Sequence, residues 1–363
     1  MGYHHAGAKT DGSVAEDVQN MFSGTGKVRA GQEIDVQRLE QYLHAELPGF
    51  AGPLTIEQFN GGQSNPTYLL ITPDKKYVLR RKPPGKLLPS AHAVDREYKV
   101  ISALHGHVPV AKSYLLCEDD SVAGTMFYVM DFLDGRIIWD GIAPDAEPAE
   151  RKALYRALLG GMIALHKVDY EAVGLADYGK PGNYVLRQIS RWSKQYLASV
   201  TEQIDAMDTL IKWLPENIPE EGRTCVVHGD YRLDNTVMHA ERTELLGILD
   251  WELGTLGNPL ADFSYHCMQW YANPALRDEK SCRELGMPTI DEYREWYCEG
   301  MGIAPIEDWY FYIAFNNFKL ACILQGIIGR VRDGTATSVH AERRAAEVRP
   351  LAERALHFAQ KLM

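Results

Sequence analysis

The stretch His228-Gly229-Asp230-Tyr231-Arg232-Leu233-Asp234-Asn235 is followed fifteen residues on by Asp250, inside Ile248-Leu249-Asp250-Trp251-Glu252. A carboxylate, an amide five residues later and a second carboxylate at a strand end supply what phosphoryl transfer needs. Asp230 suits the acceptance or orientation of an attacking hydroxyl's proton, and Asn235 and Asp250 offer hard oxygen donors for Mg²⁺. The spacing follows from the chemistry. A loop has to present base and metal ligand on one side, and a hairpin has to return the second carboxylate. A lone Asp after a strand is commonly a turn residue; the company of Asn235 and Asp250 gives Asp230 its catalytic reading.

The rest of the chain sets the bounds. Its 363 residues suffice for a two-lobed enzyme, and 45% hydrophobic with 24% charged residues is ordinary globular composition. Lys and Arg number 38 against 49 Asp and Glu, a net charge of −11. That balance argues against sequence-independent binding to nucleic acid or to an anionic membrane, while allowing a local basic site. Six scattered cysteines without a CxxC pair read as reduced, buried thiols, not as a zinc site. Met1-Gly2-Tyr3-His4-His5 opens no secretory h-region, and no apolar run reads as long enough to span a membrane. A cytoplasmic protein is expected, without nucleic-acid or membrane partners.

Residues 1–32 are Gly-rich and polar and read as a tail. Asp35 can cap a helix bearing Val36, Leu39, Tyr42 and Leu43. Strand patterns follow at 54–59, 67–72 and 77–81, a helix at 93–105, then strands at 112–117 and 125–132. From Ala149 onward the periodicity is helical, with long helices at 185–200, 313–328 and 339–362. Only short strands interrupt it, at 224–228, 236–239 and 245–249. A β-rich half, a hinge and a larger α-rich half predict a two-lobed α+β fold.

Val226 to His239 and Ile248 to Phe263 resemble the aminoglycoside phosphotransferase and choline kinase superfamily. Gln58 to Tyr68, Tyr77 to His92 and Phe318 to Gly329 narrow the likeness to the kinase domains of acyl-CoA dehydrogenase family members 10 and 11 and their stand-alone bacterial relatives. The resemblance implies a protein-kinase-like fold with an N-lobe over 33–132 and a C-lobe over 133–363. It implies ATP as donor and Mg²⁺ as cofactor, with Asp230 catalytic and Asn235 and Asp250 on the metal. His228 then braces the loop and Asp262 clamps its backbone from below. Asn60, Gly61, Gly62, Ser64 and Asn65 become a phosphate-covering turn, since glycines let backbone N–H groups approach phosphates. Arg80 stands where kinases commonly carry Lys, and Glu97 is its partner on the following helix; Lys82 competes for that role. The backbone near Asp131, Phe132 and Leu133 would bind adenine.

The acceptor is less legible, because phosphate-donor motifs do not identify it. The narrower resemblance implies a hydroxyacyl substrate, a 4-hydroxyacyl-CoA, and a functional link to an acyl-CoA dehydrogenase. Candidate acceptor-binding residues are Arg187, Arg191 and Lys194 on one helix face, with Lys319, Gln325 and Arg330; a solvated charged face is the plainer reading. Trp192, Tyr196, Trp270 and Tyr271 read equally as core. An aminoglycoside, choline-like or sugar-alcohol acceptor is the alternative. A pseudokinase usually lacks a catalytic Asp or metal ligand, and all three residues are present. A protein kinase needs a longer segment between Asp250 and Asp262 to seat a protein substrate.

Overall fold

The computed structural model describes residues 24–61, 65–85, 92–276, 278–332 and 341–363, with backbone alone for 341–344. Packing divides the chain into two units. One holds the chain up to Tyr178 with Arg232–Gly254 and Asn273–Thr289; the other holds Gly179–Tyr231, Thr255–Ala272 and Ile290–Met363.

The first unit is built on a six-stranded antiparallel sheet in the order β1-β2-β3-β4-β6-β5. Its strands are β1 Thr25–Gly26, β2 Thr55–Phe59, β3 Thr67–Ile71, β4 Lys76–Arg81, β5 Ser113–Cys117 and β6 Phe127–Asp131. The turn at 72–75 closes on Thr72, whose hydroxyl donates to the Lys75 carbonyl at 2.8 Å. Leu39 and Leu43 of the Val36–Glu46 helix pack with Tyr68, Leu79 and Phe127 into a core. Residues 24–32 depart from the expected tail. Thr25 pairs with Phe59, and the Gln32 carbonyl accepts the Tyr68 hydroxyl at 2.7 Å. A polar composition hid them because their partners lie 30 or more residues away in sequence. The same unit carries the Pro148–Lys167 helix and a second sheet, β10-β9-β7, of Leu245–Ile248, Thr236–His239 and Gly135–Arg136.

The second unit is helical. Its centre is the Trp309–Arg332 helix, packed against the helices Ala341–Ala359, Tyr184–Ser199 and Pro259–Cys267. This helix is long and apolar enough to cross a membrane, contrary to the expectation from sequence. Its most apolar window is 83% buried in protein, which makes it a core helix. It meets the 184–199 helix where neither backbone has room to spare: a Cβ on Gly329 would lie 2.6 Å from that of Ser199. β8 (Cys225–Val227) and β11 (Thr255–Gly257) form a two-stranded ladder; β11 was not anticipated. All six cysteines are buried free thiols.

Candidate functional site

In the first unit, the proposed metal ligands flank one hairpin. Leu233–Asn235 forms a tight 3₁₀ turn, and Thr236 Oγ1 donates back to the Leu233 carbonyl at 2.7 Å. Beyond the β9–β10 pairing, the Leu249 N–H donates to the Asn235 carbonyl at 2.8 Å. That bond sets Asn235 opposite the residue before Asp250. Asp250 itself has φ 60° and ψ 67°, a left-handed conformation costly for a residue with a Cβ. That conformation sets the direction in which the Asp250 carboxylate leaves the chain, towards Arg80. Asn235 and Asp250 therefore offer two oxygen donors at one hairpin end, a set suited to an ion that completes its shell with phosphate and water. Among the described residues there is no group of three or more His, Cys, Asp or Glu that could hold a metal alone.

The charge beside Asp250 is Arg80. Strand alternation separates Arg80 from Arg81 on opposite faces of β4. Arg81 serves structure: its guanidinium donates to the carbonyls of Ala123 and Gln32 and lies over the Tyr68 ring. Arg80 faces the site. Its Nε lies 2.7 Å from Glu97 Oε2 and its Nη2 lies 3.1 Å from Asp250 Oδ1. Lys82, the competing candidate, sits 3.6 Å from Asp95 instead. Glu97 is fully surrounded: Tyr128 donates its hydroxyl to Oε2 at 3.1 Å, and Asn65 Nδ2 donates to Oε1 at 2.8 Å. Burial raises the Glu97 pKa, against the lowering effect of Arg80. Burial likewise works against the Arg80 charge, but Glu97 and Asp250 together hold its pKa above the usual value.

In the second unit, the loop after β8 is held from below by Asp262. Its two oxygens accept the backbone N–H groups of His228 and Gly229, each at 2.8 Å. Asn258 caps the helix that carries Asp262, accepting from Leu260 and Ala261 N–H, and Pro259 occupies the first helical position. Asn316 Nδ2 ties that helix to the 309–332 helix through the Ala261 carbonyl at 2.9 Å. The wholly buried His228 ring accepts the Asp230 N–H at Nδ1, at 3.2 Å, a bracing contact. Asp230 Oδ1 accepts the Tyr265 hydroxyl at 2.9 Å, and His266 Nδ1 lies 3.1 Å from the Tyr231 carbonyl.

Tyr265 and His266 escaped the sequence reading. One signal was there: Tyr265 stands three residues from Asp262 on a helix, hence on the same face.

The other candidates divide. Gly62 and Ser64 lie outside the described residues, whereas the Asn60 carbonyl accepts Arg29 Nη2 at 2.8 Å. The Asn65 side chain is directed at Glu97 and, at 2.9 Å, His92. At the proposed adenine segment the Asp131 N–H already donates to the Lys112 carbonyl at 2.8 Å, and its carboxylate pairs with Lys75. Adenine binding there would fall to the backbone of Phe132 and Leu133, where Lys76 Nζ lies over the Phe132 ring and Leu133 packs against Gly247. Of the acceptor candidates, Arg187 folds back onto the carbonyls of Lys180 and Gly182, and Gln325 Nε2 donates to the Ser199 carbonyl at 2.6 Å. These two brace the fold. Arg191, Lys194 and Arg330 are exposed, and Arg191 lies over the Trp192 ring. Lys319 alone of this set is a buried cation.

Comparison with known proteins identifies the family of the chain. Residues 55–296 match the phosphotransferase enzyme family. Acyl-CoA dehydrogenase family member 10 of Mus musculus is 44% identical over 344 residues, covering 93% of this chain and 32% of that protein. The chain thus corresponds to less than half of that relative's length. A solved structure from Ralstonia eutropha, named for aminoglycoside phosphotransferases, superposes with a TM-score of 0.83 at 49% identity, covering 91% of this chain and 99% of that one. Aminoglycoside phosphotransferase APH(4)-Ia, solved as a ternary complex with ADP and hygromycin B, shares the fold alone: TM-score 0.58, 14% identity, 88% of this chain and 98% of that one covered. Matched from residue 55 to residue 296, the chain belongs to the phosphotransferase enzyme family, with its two-lobed, protein-kinase-like α+β fold and its transfer of phosphoryl groups to hydroxyls.

Proposed function

We propose that this phosphotransferase moves the γ-phosphoryl group of ATP to the hydroxyl of a hydroxyacyl acceptor, with a 4-hydroxyacyl-CoA as the acceptor favoured. The observation that carries the chemistry is the fixing of Asp230: backbone clamped at His228 and Gly229, carboxylate oriented by Tyr265. A carboxylate held in this way can align an alcohol for in-line attack and take its proton. The new bond joins the acceptor oxygen to phosphorus, the bond from phosphorus to the ADP oxygen breaks, and the hydroxyl proton passes to Asp230. Arg80, kept charged by Glu97 and Asp250, would offer donors to phosphate oxygens. Asn235 and Asp250 would hold Mg²⁺, which when bound neutralises charge on the phosphates.

The acceptor reading is supported by the similarity to acyl-CoA dehydrogenase family members, and any functional link to such a dehydrogenase rests on those names. An aminoglycoside acceptor is favoured by the name of the Ralstonia structure. Incubation with ATP–Mg²⁺ and either 4-hydroxyacyl thioesters or an aminoglycoside panel, following ADP release, separates the two. Turnover of aminoglycosides alone would overturn the hydroxyacyl reading. Asp230→Ala should lower turnover about 10²–10⁴-fold while nucleotide affinity persists; turnover at the wild-type level would remove Asp230 from its role.

A further inference from the structure

Lys319 is a cation that the fold pays to bury. Its residue surface is 7% exposed, and among the described residues its ammonium makes neither a hydrogen bond nor an ion pair. Nζ lies 5.2 Å from the centroid of the Tyr265 ring, whose hydroxyl donates to Asp230. Asp230 and Asp262 are near enough to favour its charge, and Arg191 near enough to oppose it. None of them touches it. An ammonium carries three N–H donors, and one this poorly hydrated gains from a ligand oxygen that accepts them.

The position is built, not incidental. Asn316, one turn before Lys319, fastens the helix to the Ala261 carbonyl and to Ser264 Oγ at 2.8 Å. Gln325, under two turns beyond, fastens it to the carbonyl of Ser199. Gly329 allows the close approach to Ser199 that a side chain would block. The lysine therefore cannot relieve its burial by sliding the helix.

We propose that Lys319 recognises the acceptor, its ammonium donating to a carbonyl or carboxylate oxygen of the substrate whose hydroxyl reaches Asp230. This deepens the hydroxyacyl reading above and rests on it. The lysine and the aspartate then each hold one oxygen of the acceptor, and Tyr265 lies against both of them. A buried cation in that place selects for an electron-rich acceptor oxygen and against a polycationic acceptor. It also specifies a subsite that the donor motifs leave open.

The test is steady-state kinetics of the full chain with ATP–Mg²⁺ and three acceptors of equal chain length: a 4-hydroxyacyl thioester, the free 4-hydroxy acid and a neutral diol. Lys319→Met should raise KM for the acceptor that the wild type prefers by tenfold or more, with KM for ATP within twofold. Its preference for that acceptor over the diol should collapse, and Lys319→Arg should restore part of it. Whether the thioester or the free acid suffers more identifies the oxygen as carbonyl or carboxylate. Equal losses of kcat on acid, thioester and diol, with KM unmoved, would show Lys319 acting through Asp230 and overturn the proposal. Wild-type activity on aminoglycosides and on no hydroxyacyl acceptor would instead defeat the functional reading beneath it. Thermal unfolding of both variants guards against a folding defect.

Discussion

Arg80 Nη2 lies 3.1 Å from Asp250 Oδ1, so the strand cation and a proposed metal ligand are already paired while Glu97 holds the other edge of the guanidinium. Bridging two carboxylates takes a planar fork; a lysine ammonium on a flexible stem would favour one of them. Arg80→Lys should therefore raise KM for ATP several-fold. Arg80→Met leaves the Glu97 carboxylate buried without its cation and should cost about 3–5 kcal/mol. Urea denaturation measures that loss, and stability equal to wild type would mean that Glu97 is neutral in the folded state.

Asp262 accepts two backbone N–H groups that are otherwise buried. Asp262→Ala strips both, at about 1–3 kcal/mol for each orphaned donor. Turnover should collapse with the loop geometry, while Asp262→Asn, keeping one acceptor oxygen, should fall between. Amide hydrogen exchange at His228 and Gly229 reads the effect directly, and unchanged protection in Asp262→Ala would exclude the clamp.

Tyr265→Phe removes the hydroxyl that orients Asp230 and little else of the ring. A hydrogen bond to a charged group contributes about 1.5–3 kcal/mol, so kcat should drop about 10-fold or more. KM for ATP should stay put. A change in KM for ATP with kcat intact would place Tyr265 in nucleotide binding.

Burial lowers the Lys319 pKa. The unfolded chain then holds that proton more tightly than the folded one, and the handicap fades as pH rises towards the ordinary lysine pKa of about 10.4. Lys319→Met should be the more stable protein near neutrality, and its advantage should narrow as pH rises from neutrality towards that value. Tm of both proteins across the range checks the sign. An advantage that widens with pH would contradict a desolvated lysine.

The phosphotransferase family was legible because phosphoryl transfer dictates residue types at short spacing. Asp230, Asn235 and Asp250 lie within 21 residues, and local chain geometry carries most of the information. The β-then-α order was legible for the same reason: alternation and helical periodicity are local. What failed was non-local. Residues 24–32 looked like a tail until β1 paired with β2, and the helix expected at 313–328 runs from Trp309 to Arg332 because its neighbours bury it.

By itself, then, the sequence determined the family chemistry and the three groups proposed to perform it. Tertiary structure separated three consecutive cations: strand parity sends Arg80 to Glu97 and Arg81 to the opposite face, and Lys82, just past the end of β4, lies beside Asp95. It also removed Arg187 and Gln325 from the acceptor candidates by giving them backbone carbonyls, and left Lys319 buried above Tyr265. Spacing along one helix cannot tell a solvated charge from a buried one. That difference is made by what packs against the helix, and those partners come from segments more than 50 residues away.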